Sequence, residues 1–530
     1  MSSVSAHEVV ILGGGLAGLT VALQLRAHLP DLDIVVLERR AHPVPEAAHK
    51  VGESLVELGA HYLAQTLELR AHLDAAHIPK FGFRFFFSDG RSDLDLVTEL
   101  GVSRVLPTPS WQIDRGILEN FLGEEAQRRG IDYRDRAVVR SFELDDKTAH
   151  TVRATIDGNE ETLRARWLID ASGRAGLVKR KLGLAQTNGH DANAVWFRID
   201  DRLIIDDWCP SAAWRECCDP PERWRSTNHL VGPGYWVWLI PLASGAHSVG
   251  IVADAGLHPI ETMNTFERAL DWLTMHQPAV AREVAARRDK LLDFAFLRGY
   301  SHDCKQVFSG ERWAMTGDAG VFLDPFYSPG TDFIAIANTY ICALIEHDRA
   351  GRQIAPYARL YEQIFKSFYE NTLSLFRGQY PLFGDADVMP LKAIWDYTYY
   401  WGVLCQLVMQ ERLTDFALFA EMQTELQRAQ DLNRHMQSLL RSWAAVNVAA
   451  NPPIMLDQVH LPWFAEMNRG LTERLERHEL IARLRRHVAL MGELAATIAE
   501  RASRAFPGLD IDGLAAHADA GRVVLFDEAA

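Results

Sequence analysis

EVVILGGGLAGLTVALQL, Glu8–Leu25, reads as strand, glycine turn and helix. Val9–Leu12 is an unbroken apolar run, the pattern of a parallel strand buried on both faces. Gly13, Gly15 and Gly18 then spell GxGxxG, with Ala17 inside the motif. The first glycine permits a tight turn and the second lets a pyrophosphate approach the backbone. The third lets helix and strand pack closely, and the helix N-terminus faces the phosphates. A second strand follows, DIVVLE, ending in Glu38 with Arg39 beside it. An acid there can accept from the hydroxyls of an adenosine ribose. Strand, glycine turn, helix, strand and acid together indicate dinucleotide binding.

Three later stretches favour FAD as the dinucleotide. IDRGILENFL (113–122) sets Arg115 just before an amphipathic helix. LIDASGR (168–174) is a buried strand ending in small residues. WAMTGDAGVFLDPFYSPGTDFIAIANTY (313–340) is a strand, a Gly-Asp turn, a loop and a helix. They resemble the flavin-binding segments of the FAD-dependent monooxygenase and halogenase superfamily. The resemblance implies that Asp318 of the Gly-Asp turn holds the ribityl chain.

Composition bounds the rest. The chain has 530 residues and a formal charge of −15, which argues against nucleic acid or an anionic membrane as partner. Six cysteines without a CxxC fit reduced thiols in a cytoplasm, not a disulfide framework or a metal centre. The N-terminus lacks the pattern of a signal peptide, and no apolar run is long enough to span a membrane. The expected location is cytoplasmic.

The expected fold class is α/β, a Rossmann-like FAD-binding domain with an interleaved substrate-side β-sheet, plus a mainly α-helical C-terminal region. The FAD-binding core is expected over 1–345, with the second sheet drawn from about 81–110 and 190–305. FGFRFFF, NAVWFRID, YWVWLIP and HSVGIVAD supply its strands. Residues 346–530 show helical periodicity, interrupted at NPPIM (451–455).

WVWLIP (236–241) matches the WxWxIP motif of the flavin-dependent halogenases. FLDPFYSPG matches their F-x-x-P-x-x-S-x-G pattern through Phe322, Pro325, Ser328 and Gly330. KVGES (50–54) resembles their GE segment, and HIPKFGFRFFF (77–87) resembles the stretch holding the catalytic lysine of the phenol and pyrrole branch. The matching residue is Lys80. What the resemblance implies is a catalyst that uses FAD as FADH2, delivered by a separate flavin reductase, with chloride or bromide. Hypohalous acid would travel through a tunnel lined by Trp236, Trp238, Ile240, Pro241, Phe322, Pro325 and Ser328. Lys80 would direct it to a small aromatic substrate, free or tethered to a carrier protein. Halide would sit against the backbone N–H groups of Gly330 and Thr331.

Two positions depart from the pattern. The glutamate that precedes the motif serine in the tryptophan-specific branch is here Tyr327, which points away from free tryptophan and toward a phenol or pyrrole. The residue after Ser328 is Pro329, which has no N–H to offer a halide. A flavin monooxygenase without halide use and a non-catalytic flavin-binding protein remain as rival readings. WVWLIP weighs against the first, because a hydroxylase needs its substrate beside the flavin. Arg474, Arg477, Arg483 and the LRRHV stretch offer either a dock for an acidic carrier or a solvated helix face.

Overall fold

The computed structural model describes residues 3–46, 51–514 and 522–526. Lys50, the first residue of KVGES, lies outside them. The chain forms two compact units, each assembled from three stretches of sequence. The first takes residues 1–76, 113–189 and 301–369, and the second takes 77–112, 190–300 and 370–530.

The first unit is built on the strand Ser3–Leu12 and the helix Leu16–His28. The strand runs parallel to Ile34–Leu37 on one side and to Asn159–Asp170 on the other, with Asp132–Arg134 beyond Ile34–Leu37. Asn159–Asp170 is long enough to serve twice. Its end, Leu168–Asp170, pairs in parallel with Trp313–Met315, while its beginning pairs antiparallel with His150–Ile156, which continues to Ala137–Glu143. Register aligns Leu12 with Leu37 and with Asp170, and Asp170 with Met315. The turns that follow these strands therefore emerge at one edge of the sheet, where parallel α/β sheets bind ligands. The helix Gly330–Arg349 is keyed to Leu16–His28 by buried polar contacts. Asn338 donates to the Thr20 hydroxyl at 3.1 Å and to the Tyr62 oxygen at 2.9 Å, and it accepts from Thr316 at 2.7 Å.

The second unit holds an eight-stranded sheet. Its order is Leu291–Leu297, Ala192–Ile199, His247–Asp254, Tyr235–Pro241, Thr227–Gly232, Phe83–Phe86, Glu99–Gly101 and Met455–Asp457. One face packs Tyr235, Val237 and Leu239 into an apolar core with residues of the helices Phe266–His276 and Pro278–Ala285. Behind Phe83–Phe86, Glu99 accepts from Arg223 at 2.9 Å and from the Trp214 indole at 2.9 Å and is also ion-paired to Arg84. Two guanidiniums around one carboxylate would leave uncompensated buried charge, but Asp206 stands 3.8 Å from Arg223 and offsets it. The C-terminal part of the unit is helical, and its centre is polar. Lys392 donates to Asp396 at 2.7 Å and to Gln437 at 2.8 Å, and Gln437 donates back to Asp396 at 2.7 Å.

The chain is thus α/β with a Rossmann-like first sheet, a second sheet and a helical C-terminal region. NPPIM does more than interrupt the helices. It leads into Met455–Asp457, which pairs in parallel with Glu99–Gly101. A three-residue strand has no periodicity to detect, so only the tertiary partner reveals it. Among the described residues no helix is long and apolar enough to cross a membrane.

Candidate active site

The dinucleotide cradle follows from what a methyl group would meet at each motif glycine. At Gly13 the backbone adopts φ +112°, and a Cβ would lie 2.3 Å from the Ala171 carbonyl oxygen. At Gly18 a Cβ would lie 1.9 Å from the Gly13 carbonyl oxygen, so helix and turn touch backbone to backbone. Gly15 differs: among the described residues a Cβ there would meet only Glu119 Oε1, at 4.0 Å. The space over Gly15 lies at the start of the helix Leu16–His28, which has no side-chain cap. Uncapped N-terminal amides beside open space fit a pyrophosphate. Glu38 closes the cradle at the second strand. Its two oxygens accept from Gly14 N–H at 2.8 Å and Arg40 N–H at 2.9 Å, which fixes the carboxylate while leaving lone pairs for a ribose. Arg39 is exposed beside it.

The Gly-Asp turn meets this cradle directly. A Cβ on Gly317 would lie 2.9 Å from the Ala17 methyl, so the turn packs on the first turn of the helix. Burial raises the Asp318 carboxyl pKa, while the charges of Arg174, Arg115 and Lys179 pull it down. Arg115 opens the helix Arg115–Arg128 and is held by Glu119 at 2.6 Å and the Val51 carbonyl at 2.7 Å. Lys179 donates to the Gly320 carbonyl at 2.9 Å and contacts His302 Nδ1 at 3.2 Å. With that ammonium and Arg174 nearby, and burial acting first, the imidazole of His302 is held down at about 3 and stays neutral. The donor set, a carboxylate framed by cations next to an open glycine turn, fits FAD. Asp318→Ala is expected to weaken FAD binding about tenfold to a hundredfold, the loss of one charge-assisted hydrogen bond, read by fluorescence titration.

Farther along the same unit, Ser328 takes a left-handed backbone, φ +54°, and donates its N–H to the Pro325 carbonyl at 2.9 Å. Pro329 caps the helix Gly330–Arg349 without a side-chain bond, which leaves Gly330 and Thr331 in the first helical turn. Among the described residues, apart from Gly330's chain neighbours and its own helix backbone, no heavy atom lies within 4 Å of a Cβ built on Gly330. Phe322, also in this unit, lies 5.7 Å from the Arg174 guanidinium.

In the second unit WVWLIP is the buried strand Tyr235–Pro241. Trp236, Trp238 and Ile240 face away from the core that takes Tyr235, Val237 and Leu239. The two indoles stand 5.6 Å apart, and each N–H is satisfied, Trp236 by the Tyr380 hydroxyl at 2.9 Å and Trp238 by Ser248 at 3.1 Å. Trp238 fits because its register partner is Gly250, where a Cβ would lie 2.1 Å from the indole. Gly250→Val is therefore expected to displace Trp238 and change the near-ultraviolet circular dichroism while retaining the far-ultraviolet spectrum.

Lys80 follows the short strand Ile78–Pro79 and is tied on both sides by backbone. Its N–H donates to the Ser110 carbonyl at 2.9 Å, and the next N–H, of Phe81, donates to Arg225 at 3.2 Å. The side chain is buried, with its ammonium 3.5 Å from the centre of the Phe83 ring. Phe83 in turn meets His229 at 5.2 Å, and His229 meets Trp236 at 5.2 Å. Lys80 and the two tryptophans thus belong to one aromatic cluster. Sequence reading missed His229, Tyr380, Arg174 and Lys179. The last two stand in or just beyond the quoted DASGR stretch, which was a signal available for them. The histidine lies on Thr227–Gly232, outside the stretches quoted as strands, and carried none.

A family model described as FAD binding domain matches residues 6–227. Among curated proteins, the chain is 24% identical over 434 residues to the flavin-dependent halogenase chlA of Dictyostelium discoideum, covering 76% of this chain and 70% of that one. It is 26% identical over 334 residues to the 1H-pyrrole-2-carbonyl-[peptidyl-carrier protein] brominase of Pseudoalteromonas luteoviolacea, covering 63% and 75%. Among solved structures, halogenase PltM in complex with phloroglucinol and FAD aligns with a TM-score of 0.64 at 17% identity, covering 92% of this chain and 96% of that one.

Proposed function

We propose that the chain is a FAD-dependent oxidoreductase of the flavin-dependent halogenase kind, as its relatives support, and that it halogenates an electron-rich aromatic, phenolic or pyrrolic, under the direction of Lys80. The observation that carries the reading is the buried ammonium of Lys80, locked by its own backbone against an aromatic cluster that includes both motif tryptophans. When bound, reduced FAD and oxygen supply the oxidising power that turns halide into hypohalous acid; a separate flavin reductase would deliver the reduced cofactor. Lys80 donates a hydrogen bond to the oxygen of that acid and turns its halogen toward the ring. The carbon–halogen bond forms as the halogen–oxygen bond breaks, and the ring proton leaves with the hydroxide as water. Phe83, Trp236 and Trp238 keep water from consuming the oxidant. Gly15, Gly18, Glu38, Arg115 and Asp318 hold the cofactor, and Gly330 and Thr331 hold the halide.

Relatives that act on pyrrolyl groups held by a carrier protein support a tethered substrate alongside a free one. The basic stretch near the C-terminus adds no support for a carrier dock. Arg474, Arg477 and Arg483 each pair with an acid of this chain, at 3.5 Å, 2.9 Å and the carboxylate of Glu473 respectively. Hydroxylation without halide is the second reading, and Pro329 favours it. The test supplies FAD, a flavin reductase, NADH and oxygen with chloride, bromide or iodide, and reads phenols, pyrroles and indoles by mass spectrometry. A halogen mass shift supports the proposal, and a shift of one oxygen moves the chain to the second reading. Pro329→Ala restores one N–H at a position whose φ, −76°, alanine also adopts. It is expected to lower the halide KM roughly tenfold, the worth of one hydrogen bond to a charged group.

A further inference from the structure

Lys179 sits in the short helix Leu177–Lys181 of the first unit, just beyond the DASGR stretch, and is buried. Its stem passes over Gly176, where a Cβ would lie 3.1 Å from the lysine's Cε. The ammonium reaches the Gly-Asp turn and meets three acceptors, one for each of its N–H bonds. They are the Gly320 carbonyl at 2.9 Å, His302 Nδ1 at 3.2 Å and the Asp318 carbonyl at 3.4 Å. His302 is itself fixed, because its main chain exchanges two hydrogen bonds with that of Phe322, each at 3.0 Å. The turn does not need a lysine to close. The N–H groups of Gly320 and Val321 already donate to the Gly317 carbonyl, at 2.9 Å and 3.2 Å. Burying an ammonium costs desolvation that an apolar side chain of the same length avoids. A cation spent on the turn that carries Asp318 therefore has a use beyond closing it.

Resting on the reading that this unit binds FAD, we infer that Lys179 is a positioning residue for the cofactor: it pins the Gly-Asp turn so that the Asp318 carboxylate is presented to the ribityl hydroxyls. Lys179 acts through Asp318. It orients the main chain on that residue and at Gly320, and its charge favours the ionised carboxyl. Burial raises the Asp318 pKa, and the charges of Arg174, Arg115 and Lys179 oppose that rise. The titratable groups around the ammonium itself are His302, Cys304, Asp170, Asp318 and Asp303. Without the ammonium the Asp318 carboxyl takes its proton at a higher pH. FAD binding, which uses the carboxylate as acceptor, then fails at a higher pH as well.

The experiment titrates cofactor-free wild type, Lys179→Met, Asp318→Asn and the double variant with FAD across a pH series, followed by flavin fluorescence. An unchanged melting curve of the cofactor-free form qualifies each variant. Lys179→Gln, which keeps a donor and drops the charge, replaces Lys179→Met if that variant fails. If neither folds, closing the turn is the lysine's role and the inference falls. The expected result for Lys179→Met is a loss of about tenfold in FAD affinity at neutral pH, the worth of one hydrogen bond to a charged group. The acid limb of binding should also move to higher pH. In the Asp318→Asn background the same substitution should cost less than about threefold and move no limb, because the two residues act as one unit. Wild-type affinity with an unmoved limb in Lys179→Met overturns the inference. So does a full further loss in the double variant, or a shifted limb that persists there, which would assign the effect to Asp170. Wild type that binds no FAD overturns the inference together with the FAD reading it rests on.

Discussion

Lys80→Ala is expected to lower the yield of halogenated aromatic by about a hundredfold or more, the scale of removing a positioned proton-donating group. Reoxidation of reduced flavin should continue at the wild-type rate, because the substitution lies outside the cofactor cradle. The two rates diverge only if the ammonium acts after halide has been oxidised. The fold should tolerate the change. The main-chain bonds that hold the segment, from Lys80 to Ser110 and from Phe81 to Arg225, do not involve the side chain. The contact over Phe83 is a cation–π pair, worth about 2 kcal/mol or more when desolvated, a loss a protein of this size can absorb. Lys80→Met keeps the aliphatic stem and should fail equally. Product formation at the wild-type level in either variant, measured by mass spectrometry against the same halide, would sink the role given to this lysine.

The second large effect separates two glycines three residues apart. Gly15→Ala is expected to leave the melting temperature of the cofactor-free protein within a degree or two and to weaken FAD binding by about two orders of magnitude. Its backbone, φ −84°, suits alanine, and among the described residues only Glu119 Oε1 stands within 4.0 Å of the added carbon. On the proposed reading the methyl instead enters the space a phosphate would take. Gly18→Ala should lose both stability and FAD, because its methyl would sit 1.9 Å from the Gly13 carbonyl oxygen. Overpacking against backbone costs about 1–3 kcal/mol or more. Calorimetry of the apo forms and titration with FAD distinguish the two. Equal melting losses would mean that the room above Gly15 is not a ligand's.

Much of this was legible in the chain itself. Val9–Leu12, Gly13, Gly15, Gly18 and Glu38 announce their arrangement because each answers a local demand, a strand buried twice, a turn, a close approach. YWVWLIP and HSVGIVAD appear as strands with the bounds their alternation implies. What stayed hidden depends on partners far away in sequence. Lys179 reads as one cation in a basic helix until its ammonium is seen on the Gly320 carbonyl. His229 lies on a strand that no quoted stretch includes, and only the fold brings Phe83, Phe85 and Trp236 around it. Glu99, Arg84 and Arg223 look like surface charges, and burial of all three follows only from how the sheet closes.

The interleaving of the two units has a consequence for how the protein is made. The strand Ser3–Leu12 cannot gain its neighbour Asn159–Asp170 until well over a hundred further residues have left the ribosome, and Trp313–Met315 must wait for longer still. Glu99–Gly101 waits for Met455–Asp457. Parallel pairing over such separations makes folding slow, because loop closure precedes the contacts that reward it. During that interval the apolar strands stand exposed, so chaperone supply should limit yield in a heterologous host more than codon choice does. Truncation to a free-standing cofactor-binding or substrate-binding half is closed to this chain, since every simple cut removes part of both.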